Sequence, residues 1–358
     1  MNRRRGASYE LRPVKCLISI SLLSSAPTLV YGAASSTTGP PSADCAATAA
    51  AAGWTAVKSI DFSSKHSVMI RNADGTLTAM DVPYYRSKLI APGTWQIESD
   101  GDYSYLIEGD KEALAIDTGY GPGNIRQYLQ TLTKKPVRFV ANTHYHFDHT
   151  ANDGYFDCAY LSKETAEKAT VPYPSFAGVD FPRNYPKAII TDGSKIQLGN
   201  RQIEVFLIPN HTAGGTAYLD RRARILFTGD EFMTNIRLKV SVAQFARNMR
   251  KIAAHRSEYD KLAGGPGIFD AAEVDKYLAV AEYVLAGHEG ESVTQQPPRQ
   301  PPPDAAAPTA DSKGQVIYDR RYVRPPDRPK DLPPPDENQR QMTYEGRTII
   351  YDVRRVKD

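Results

Sequence analysis

Cysteine, net charge and long apolar runs are all scarce in this sequence. Its 358 residues include three cysteines, Cys16, Cys45 and Cys158, so at most one disulfide can form within the chain. The 44 basic and 41 acidic residues leave a net charge of +3, which is too small to indicate a nucleic acid or an anionic surface as a partner. The apolar run Cys16–Leu23 is well short of a membrane span. We therefore expect neither nucleic-acid binding nor a stable membrane span.

Histidine is equally rare, but it is unevenly distributed. Three of the seven histidines and one aspartate fall within six residues: His144, His146, Asp148 and His149. Imidazole nitrogens and carboxylate oxygens are donors that zinc accepts in proteins. The preceding segment, 136–142, is rich in β-branched and aromatic residues and predicts a buried strand that ends at this cluster. Ligands at the carboxyl end of a strand are typical of α/β sites, so one short loop can serve two metal ions here.

Two later segments repeat the arrangement of a strand followed at once by a possible ligand. Residues 201–208 predict a strand, and His211 follows it as the expected third imidazole. Residues 223–228 predict another strand, and Asp230 follows it where it can bridge two ions. Both residues also have ordinary structural interpretations, His211 as a core histidine and Asp230 as a carboxylate in a Gly-Asp turn.

Together these residues resemble the metallo-β-lactamase superfamily of hydrolases. That family has a His-x-His-x-Asp-His loop, a later lone His and a bridging Asp after a Thr-Gly segment, and the resemblance covers roughly residues 90 to 290. Asp117 matches an early strand end of the family, where the aspartate usually supports the ligands through hydrogen bonds, although it too could be a turn carboxylate. The resemblance implies an α/β fold, a four-layer αββα sandwich of the metallo-β-lactamase type, and the metal ligands His144, His146, Asp148, His149, His211 and Asp230.

The chain departs from the family at one position. A Gly-His-Gly usually follows the last strand and completes the second metal site, but Lys261–Gly267 contains no histidine. The first ion keeps three imidazoles and the second keeps Asp148, His149 and Asp230, so we expect one tight zinc ion and a second, weaker one. His255 and His288 are alternative ligands; otherwise His255 is a half-exposed helix residue and His288 caps a helix end. His66 is expected at the surface.

The chain divides into four expected parts. Residues 1–34 have the basic start, apolar middle and small residues of a signal peptide, with an organellar transit peptide as the competing interpretation. Residues 35–54 are expected to be a flexible linker, 55–290 the catalytic domain, and 291–358 a proline-rich tail with two short strand repeats. A signal peptide implies a secreted or periplasmic protein, in which Cys45 and Cys158 could pair.

Two segments outside the ligand loops stand out by composition. Val171–Lys187 is rich in proline and aromatic residues and predicts a loop, which either covers the cleft or packs its aromatic rings on the fold. Twelve of the 26 prolines fall within 297–308 and 325–335, and these stretches predict extended spacers. The repeats 314–321 and 346–355 each predict a strand, which could pair with the other, dock on the main domain or engage another chain.

These features predict a secreted zinc-dependent hydrolase that cleaves a small acyl compound, such as a lactone, ester, thioester or amide, with a metal-bound hydroxide. Asp148 is the predicted catalytic residue, because it can orient that nucleophile and carry its proton. A β-lactam hydrolase is one alternative, disfavoured because Asp230 stands where some β-lactamases of the superfamily have cysteine. The other is a secreted binding protein without activity that keeps one structural zinc.

Overall fold

The computed structural model describes residues 44–56, 68–71, 74–79, 85–99, 102–119, 121, 123–172, 181–233, 235–293, 309–310, 316–319 and 337–357. The expected signal peptide, residues 1–34, lies outside these residues. Within the described part of the chain, no helix combines the length and apolar character needed to cross a bilayer.

Six helices are present among the described residues. They are α1 (Cys45–Ala52), α2 (Ile125–Leu132), α3 (Phe147–Thr150), α4 (Lys163–Lys168), α5 (Val242–Ala253) and α6 (Glu273–Leu285). Four of them begin at side-chain caps: the side-chain oxygens of Asp44, Asn124, Ser162 and Ser241 each accept a backbone N–H of the first turn.

The strands of the described residues, in chain order, are β1 (Val68–Arg71), β2 (Leu77–Ala79), β3 (Arg86–Ala91), β4 (Thr94–Ser99), β5 (Asp102–Glu108), β6 (Ala113–Ile116), β7 (Val137–Ala141), β8 (Cys158–Leu161), β9 (Lys187–Ile189), β10 (Lys195–Gln197), β11 (Gln202–Leu207), β12 (Thr216–Asp220), β13 (Ile225–Gly229), β14 (Asn235–Arg237), β15 (Lys261–Gly264), β16 (Gly267–Asp270), β17 (Glu291–Ser292), β18 (Thr309–Ala310), β19 (Val316–Asp319), β20 (Gln339–Tyr344) and β21 (Arg347–Asp352).

Two large sheets carry the fold. The first has seven strands in the order β3-β4-β5-β6-β7-β8-β9, antiparallel as far as β6 and parallel from β6 to β9. The second has six strands in the order β10-β11-β12-β13-β15-β16, with one parallel pair, β13 and β15. β5 and β6 form an antiparallel hairpin, and most residues of both strands are buried.

Three hydrophobic clusters show how the layers pack. One lies between the sheets and joins side chains such as Leu114 and Phe139 of the first sheet to Val205 and Phe227 of the second. Another packs α2 and α4 on the outer face of the first sheet, and the third packs α5 and α6 on the outer face of the second. Helices therefore cover both outer faces of a two-sheet core, and the predicted four-layer αββα sandwich is confirmed.

The amino-terminal part of the described chain differs from the sequence prediction. Residues 35–54 predict a flexible linker, but Cys45–Ala52 forms α1, so the prediction is wrong for these residues. The Asp44 carboxylate accepts the amides of Ala46 and Ala47, and alanine is the best helix former. A disulfide from Cys45 to Cys158, with Cα atoms 5.5 Å apart, fastens α1 to β8. The pairing expected as a possibility is therefore present.

Where the structure describes them, the two carboxyl-terminal repeats pair with other strands rather than with each other. The first forms β19, which runs parallel to β1 in a small sheet of order β18-β19-β1-β2. The second forms β21, which pairs with β20 and runs parallel to β14, within the catalytic region. Met342, Ile349 and Tyr351 of this hairpin are buried in the same cluster as α5 and α6. The domain border expected at residue 290 thus crosses one continuous core, and the second repeat docks on its own chain.

Candidate metal centre

The metal-binding residues expected from the sequence meet at one edge of the sandwich. Asp117 follows β6, the histidine cluster follows β7, His211 follows β11 and Asp230 follows β13. The parallel register places Ile116 beside Ala141 in the first sheet, and Gly229 beside Gly264 in the second. Two hydrogen bonds join the sheets here, from the Thr216 amide and the Tyr218 hydroxyl to the carbonyls of Thr143 and Asn142, each 2.8 Å long.

Three imidazole rings form the first group of donors. His144 Nε2 and His211 Nε2 lie 2.9 Å and 3.1 Å from His146 Nδ1. Together with an Asp230 oxygen, these nitrogens lie within 4.8 Å of one another. The nitrogen–nitrogen separations approach the edge of a zinc tetrahedron, which is about 3.3 Å for zinc–nitrogen bonds of about 2.0–2.1 Å.

Hydrogen bonds on the far side of the rings determine which nitrogen faces this group. The Thr143 hydroxyl donates to Asp117 Oδ2 at 2.8 Å, so it accepts from His144 Nδ1 at 3.1 Å. His144 Nε2 therefore carries a free lone pair that points at the other rings. Gly229, at φ 52°, allows this arrangement, because a Cβ there would overlap the Thr143 hydroxyl.

The environment keeps the three rings neutral near pH 7. Burial, together with neighbouring imidazoles, holds the pKa of His144 well below its usual value. Burial likewise lowers the pKa of His146 to about 4 and lowers the pKa of His211. Neutral imidazole is the form that binds metals.

Asp148, His149 and Asp230 form the second group, and their donor atoms also lie within 4.8 Å of one another. Asp230 belongs to both groups, since its Oδ1 lies 3.4 Å from His149 Nε2 and its Oδ2 lies 3.9 Å from His211 Nε2. Asp148 Oδ2 lies 3.9 Å from His149 Nε2. Asp148 and Asp230 are partly exposed, so this group lies at the open side of the centre.

His149 is surrounded by carboxylates. Burial alone would lower the pKa of His149, but Asp117, Asp230 and Asp148 outweigh it and leave that pKa well above its usual value. Burial alone would raise the pKa of Asp230, and the field of His149 and the other rings leaves it lower than usual. When His149 is neutral, the surrounding carboxylates therefore give the second group a strong negative charge. A bound divalent cation would stabilise this charge.

Residues 261–267 confirm that no side chain takes the place of the family's last histidine. Gly265 lies next to the second group, where a Cβ would overlap Asp230 Oδ1 and approach His149 Cε1 to 3.2 Å. Its amide donates to the Gly229 carbonyl at 3.0 Å. Backbone rather than an imidazole therefore borders the second group on this side.

Neither alternative histidine belongs to a metal group of the described residues. His255 Nδ1 lies 3.2 Å from Glu258 Oε1 and its ring packs against Phe206, as expected of a half-exposed histidine at a helix end. His288 caps the helix end through its backbone, since its amide lies 3.4 Å from the Tyr283 carbonyl. Its side chain stacks on the Tyr283 ring, with ring centroids 3.7 Å apart. His66 lies outside the described residues.

The aromatic loop is only partly described. Phe181 is buried and packs edge-on against Phe147, with ring centroids 4.8 Å apart, and Tyr185 is buried as well. These two rings pack on the fold, which was the alternative to a cover over the cleft. Tyr173 and Phe176 lie outside the described residues.

Several supporting residues could not be identified from the sequence. Glu231 is buried and accepts the His211 amide at 3.1 Å and 3.3 Å through its two oxygens, and burial raises its pKa to about 8. Asn142 and Thr118 donate to the carbonyl of His149. In the sequence, these supporting residues are marked only by their position next to a ligand or at a strand end. Many polar residues occupy such positions.

The residues present fit a divalent metal. His149 Nε2 is buried and makes no hydrogen bond with any residue that the structure describes, although Asp117 accepts from its other nitrogen. Three nitrogen lone pairs that face one another would repel unless a cation lay between them. Both groups offer imidazole nitrogens and carboxylate oxygens, and zinc accepts such donors in proteins.

Comparisons with known proteins agree on one family. The sequence profile of the metallo-beta-lactamase superfamily matches residues 100–288. The chain is 28% identical over 158 residues to the human protein named acyl-coenzyme A thioesterase MBLAC2, covering 35% of this chain and 56% of that protein. It is 28% identical over 135 residues to the probable polyketide biosynthesis zinc-dependent hydrolase PksB of Bacillus subtilis, covering 37% of this chain and 56% of that protein.

The chain thus spans about half the length of these curated relatives. Among solved structures, a metallo-beta-lactamase from Pontibacter korlensis aligns with a TM-score of 0.43 and 18% identity, over 55% of this chain and 99% of that one.

Proposed function

Since the chain belongs to the metallo-beta-lactamase superfamily, we propose that it is a metal-dependent hydrolase that cleaves a small acyl compound. The observation that carries the proposal is the convergence of His144, His146 and His211 on one point, with the partly exposed Asp148 beside them. The names of the relatives, a thioesterase and a zinc-dependent hydrolase, support the same reaction type. A site of this kind has no evident structural purpose, because its donors destabilise one another when no cation is bound.

Each of the two groups of donors would hold one metal ion. His144, His146 and His211 would hold the first ion, and Asp148, His149 and Asp230 a second, with Asp230 positioned to serve both. Bound zinc supplies Lewis acidity, which polarises an acyl oxygen and makes water more acidic. We propose a tight first ion and a weaker second one, since the second group has three donors and no imidazole at residue 265.

The chain's own side chains supply orientation and proton transfer. Asp148 lies at the open side of the centre, where its carboxylate can accept a proton from the attacking water and pass it to the leaving group. Asp117 accepts from His149 Nδ1 and thereby directs His149 Nε2 towards the second group. Glu231 holds the backbone of His211 from the buried side.

Among acyl compounds, we propose a thioester as the first substrate class to test. The proposal follows the name of the human relative, a thioesterase, and the aspartate at position 230, which separates this chain from β-lactamases that use cysteine there. The disulfide between Cys45 and Cys158 supports a secreted or periplasmic protein, because such bonds persist in oxidising compartments.

A panel assay of the wild type and the His146→Ala variant tests whether the protein is a hydrolase. The wild type, loaded with zinc, is incubated separately with a thioester, an aryl ester, a lactone and a cephalosporin. We expect turnover of at least one acyl compound, and its loss to background in His146→Ala, because removing that ring breaks the three-nitrogen face.

The matched control is His255→Ala, which removes an imidazole that binds Glu258 rather than the centre. It should keep wild-type turnover. Full activity of His146→Ala in metal-free buffer would refute the proposed function, and so would a zinc-loaded wild type that cleaves none of the compounds. Preference for the cephalosporin would redirect the substrate class to β-lactams.

A further inference from the structure

Asp153 is a buried carboxylate that touches no metal-binding side chain. Its Oδ1 accepts from Asn142 Nδ2 and from the Thr118 hydroxyl, each at 3.1 Å, and its Oδ2 accepts from the Tyr185 hydroxyl at 2.9 Å. The residue is fully buried. Burying a carboxyl group is costly unless its hydrogen bonds are satisfied, so a role is expected for it.

The two donors on Oδ1 also bind the carbonyl of His149. Asn142 Nδ2 donates to that oxygen at 2.7 Å, the Thr118 amide at 2.9 Å, and the Thr118 hydroxyl lies 3.1 Å away. Asn142 thus uses both hydrogens of its amide, one on Asp153 and one on His149. The backbone of His149 is held by Thr118, while its ring is held by the adjacent Asp117.

The other oxygen of Asp153 connects this contact to the ends of the aromatic loop. The Tyr185 hydroxyl lies 2.9 Å from the Thr170 hydroxyl. Thr170 donates two hydrogen bonds to Thr150, from its hydroxyl to the Thr150 carbonyl at 2.7 Å and from its amide to the Thr150 hydroxyl at 2.8 Å. Thr150 in turn donates to the His146 carbonyl at 3.1 Å. Thr170 has φ 60°, a left-handed conformation that non-glycine residues adopt when the surroundings enforce it.

We propose that Asp153 is a positioning residue of the metal centre, which fixes Asn142 and Thr118 so that they hold His149 with its Nε2 directed at Asp148 and Asp230. The inference rests on the proposed function, since it assigns the second donor group a metal. Asp153 acts through two intermediates and contacts neither the metal-binding atoms nor a substrate. It acts mainly on the second group, because Asn142 and Thr118 join it directly to His149. Its path to His146 passes through Tyr185, Thr170 and Thr150 and ends on a backbone carbonyl, so the first group is not expected to change.

Two substitutions of Asp153 distinguish a positioning role, which depends on hydrogen bonds, from an effect of the carboxylate's negative charge. Asparagine at position 153 can accept from Asn142 and Thr118 with Oδ1 and donate to the Tyr185 hydroxyl with Nδ2. Tyr185 can then turn its own proton to Thr170, which lies within reach. Asp153→Asn should therefore preserve the network, and Asp153→Ala should break it.

The test measures metal affinity without substrate. Apo-protein is titrated with cobalt(II) in competition with a chelating indicator, at a temperature well below the unfolding midpoint of each variant. In Asp153→Ala we expect the second, weaker ion to bind about 10- to 100-fold less tightly, with the first unchanged. Asp153→Asn should match the wild type in both. The cobalt visible spectrum should change in the alanine variant only.

Thr118→Val serves if Asp153→Ala does not fold, because it removes one hydroxyl from the same network. It should weaken the second ion, and Thr118→Ser should restore it. Equal loss of both ions, an unchanged second ion in the folded variant, or an asparagine variant as weak as alanine would each overturn the inference. A wild type that binds metal while Asp153→Ala binds it equally overturns only the positioning role, whereas a wild type that binds none overturns the proposed function as well.

Discussion

Asp117 Oδ2 lies 2.8 Å from His149 Nδ1, and both side chains are buried. The same carboxylate accepts from the Thr143 amide at 2.7 Å and from the Thr143 hydroxyl at 2.8 Å. Asp117 adopts φ 60°, a conformation that aspartate tolerates better than most residues. One side chain therefore orients His149 directly and His144 through Thr143, although neither residue is near it in the sequence.

Replacing Asp117 by alanine should loosen the second ion most. His149 Nδ1 would lose its acceptor, so its ring could rotate or change tautomer. We expect affinity for the second ion to fall about 10- to 100-fold in chelator competition. Asp157→Asn is the matched control, since that carboxylate pairs with Arg126 and Arg138 away from the centre. Unchanged affinity in Asp117→Ala would contradict this role.

Metal content should depend on the metal supply. After dialysis against metal-free buffer the wild type should retain about one zinc ion per chain, and it should take up a second at excess zinc, because the second group offers three donors. Elemental analysis of both samples measures this. Two zinc ions that survive dialysis would disprove the expected asymmetry.

Asp153 should make stability depend on pH. Burial raises its pKa to about 7, whereas an unfolded aspartate titrates near 3.8. Between these values the folded state binds more protons than the unfolded state, so this residue's contribution to stability falls as pH rises from about 4 to about 7. The loss should be on the order of a few kcal/mol. Asp153→Asn should show a flatter profile in urea unfolding at a series of pH values, and a difference that is constant with pH would exclude the effect.

The disulfide should stabilise the protein through a long loop. Cys45 and Cys158 are separated by 113 positions, and breaking their bond should lower the free energy of unfolding by about 2–5 kcal/mol. The double change Cys45→Ser and Cys158→Ser, followed by denaturant unfolding, measures it. A reducing agent should then destabilise the wild type and leave the double variant unaffected. If it shifts both equally, the bond is not the cause.

Local signals in the sequence predicted the elements that carry the centre. The strand predicted at residues 136–142 is β7, Val137–Ala141, because four of its five residues are buried apolar side chains. The ligands were recognisable because each follows a run of apolar residues that forms a buried strand, as Asp230 follows β13. Their convergence also needed the two sheets to pack face to face, since Asp117 and the histidine cluster follow strands of the first sheet and His211 and Asp230 follow strands of the second.

Contacts between distant segments were not predictable in this way. The repeats that form β19 and β21 look alike in sequence, yet each pairs with a different partner far along the chain. Asp153 shows no pattern of its own, since its role arises from Thr118 and Tyr185, on either side of it in the sequence. The alanine-rich segment of α1 has too little amphipathic character to predict which surface would bind it, and a disulfide supplies that contact instead.

The parallel pairing of β14 with β21 has a consequence for synthesis on the ribosome. Asn235–Arg237, shortly after Asp230, finds its strand partner in residues 348–350. More than a hundred further residues must therefore be synthesised before this segment can pair with its partner strand. Until then Ile349 cannot pack against Ile236 and the apolar residues around it. During this interval these residues are accessible to chaperones.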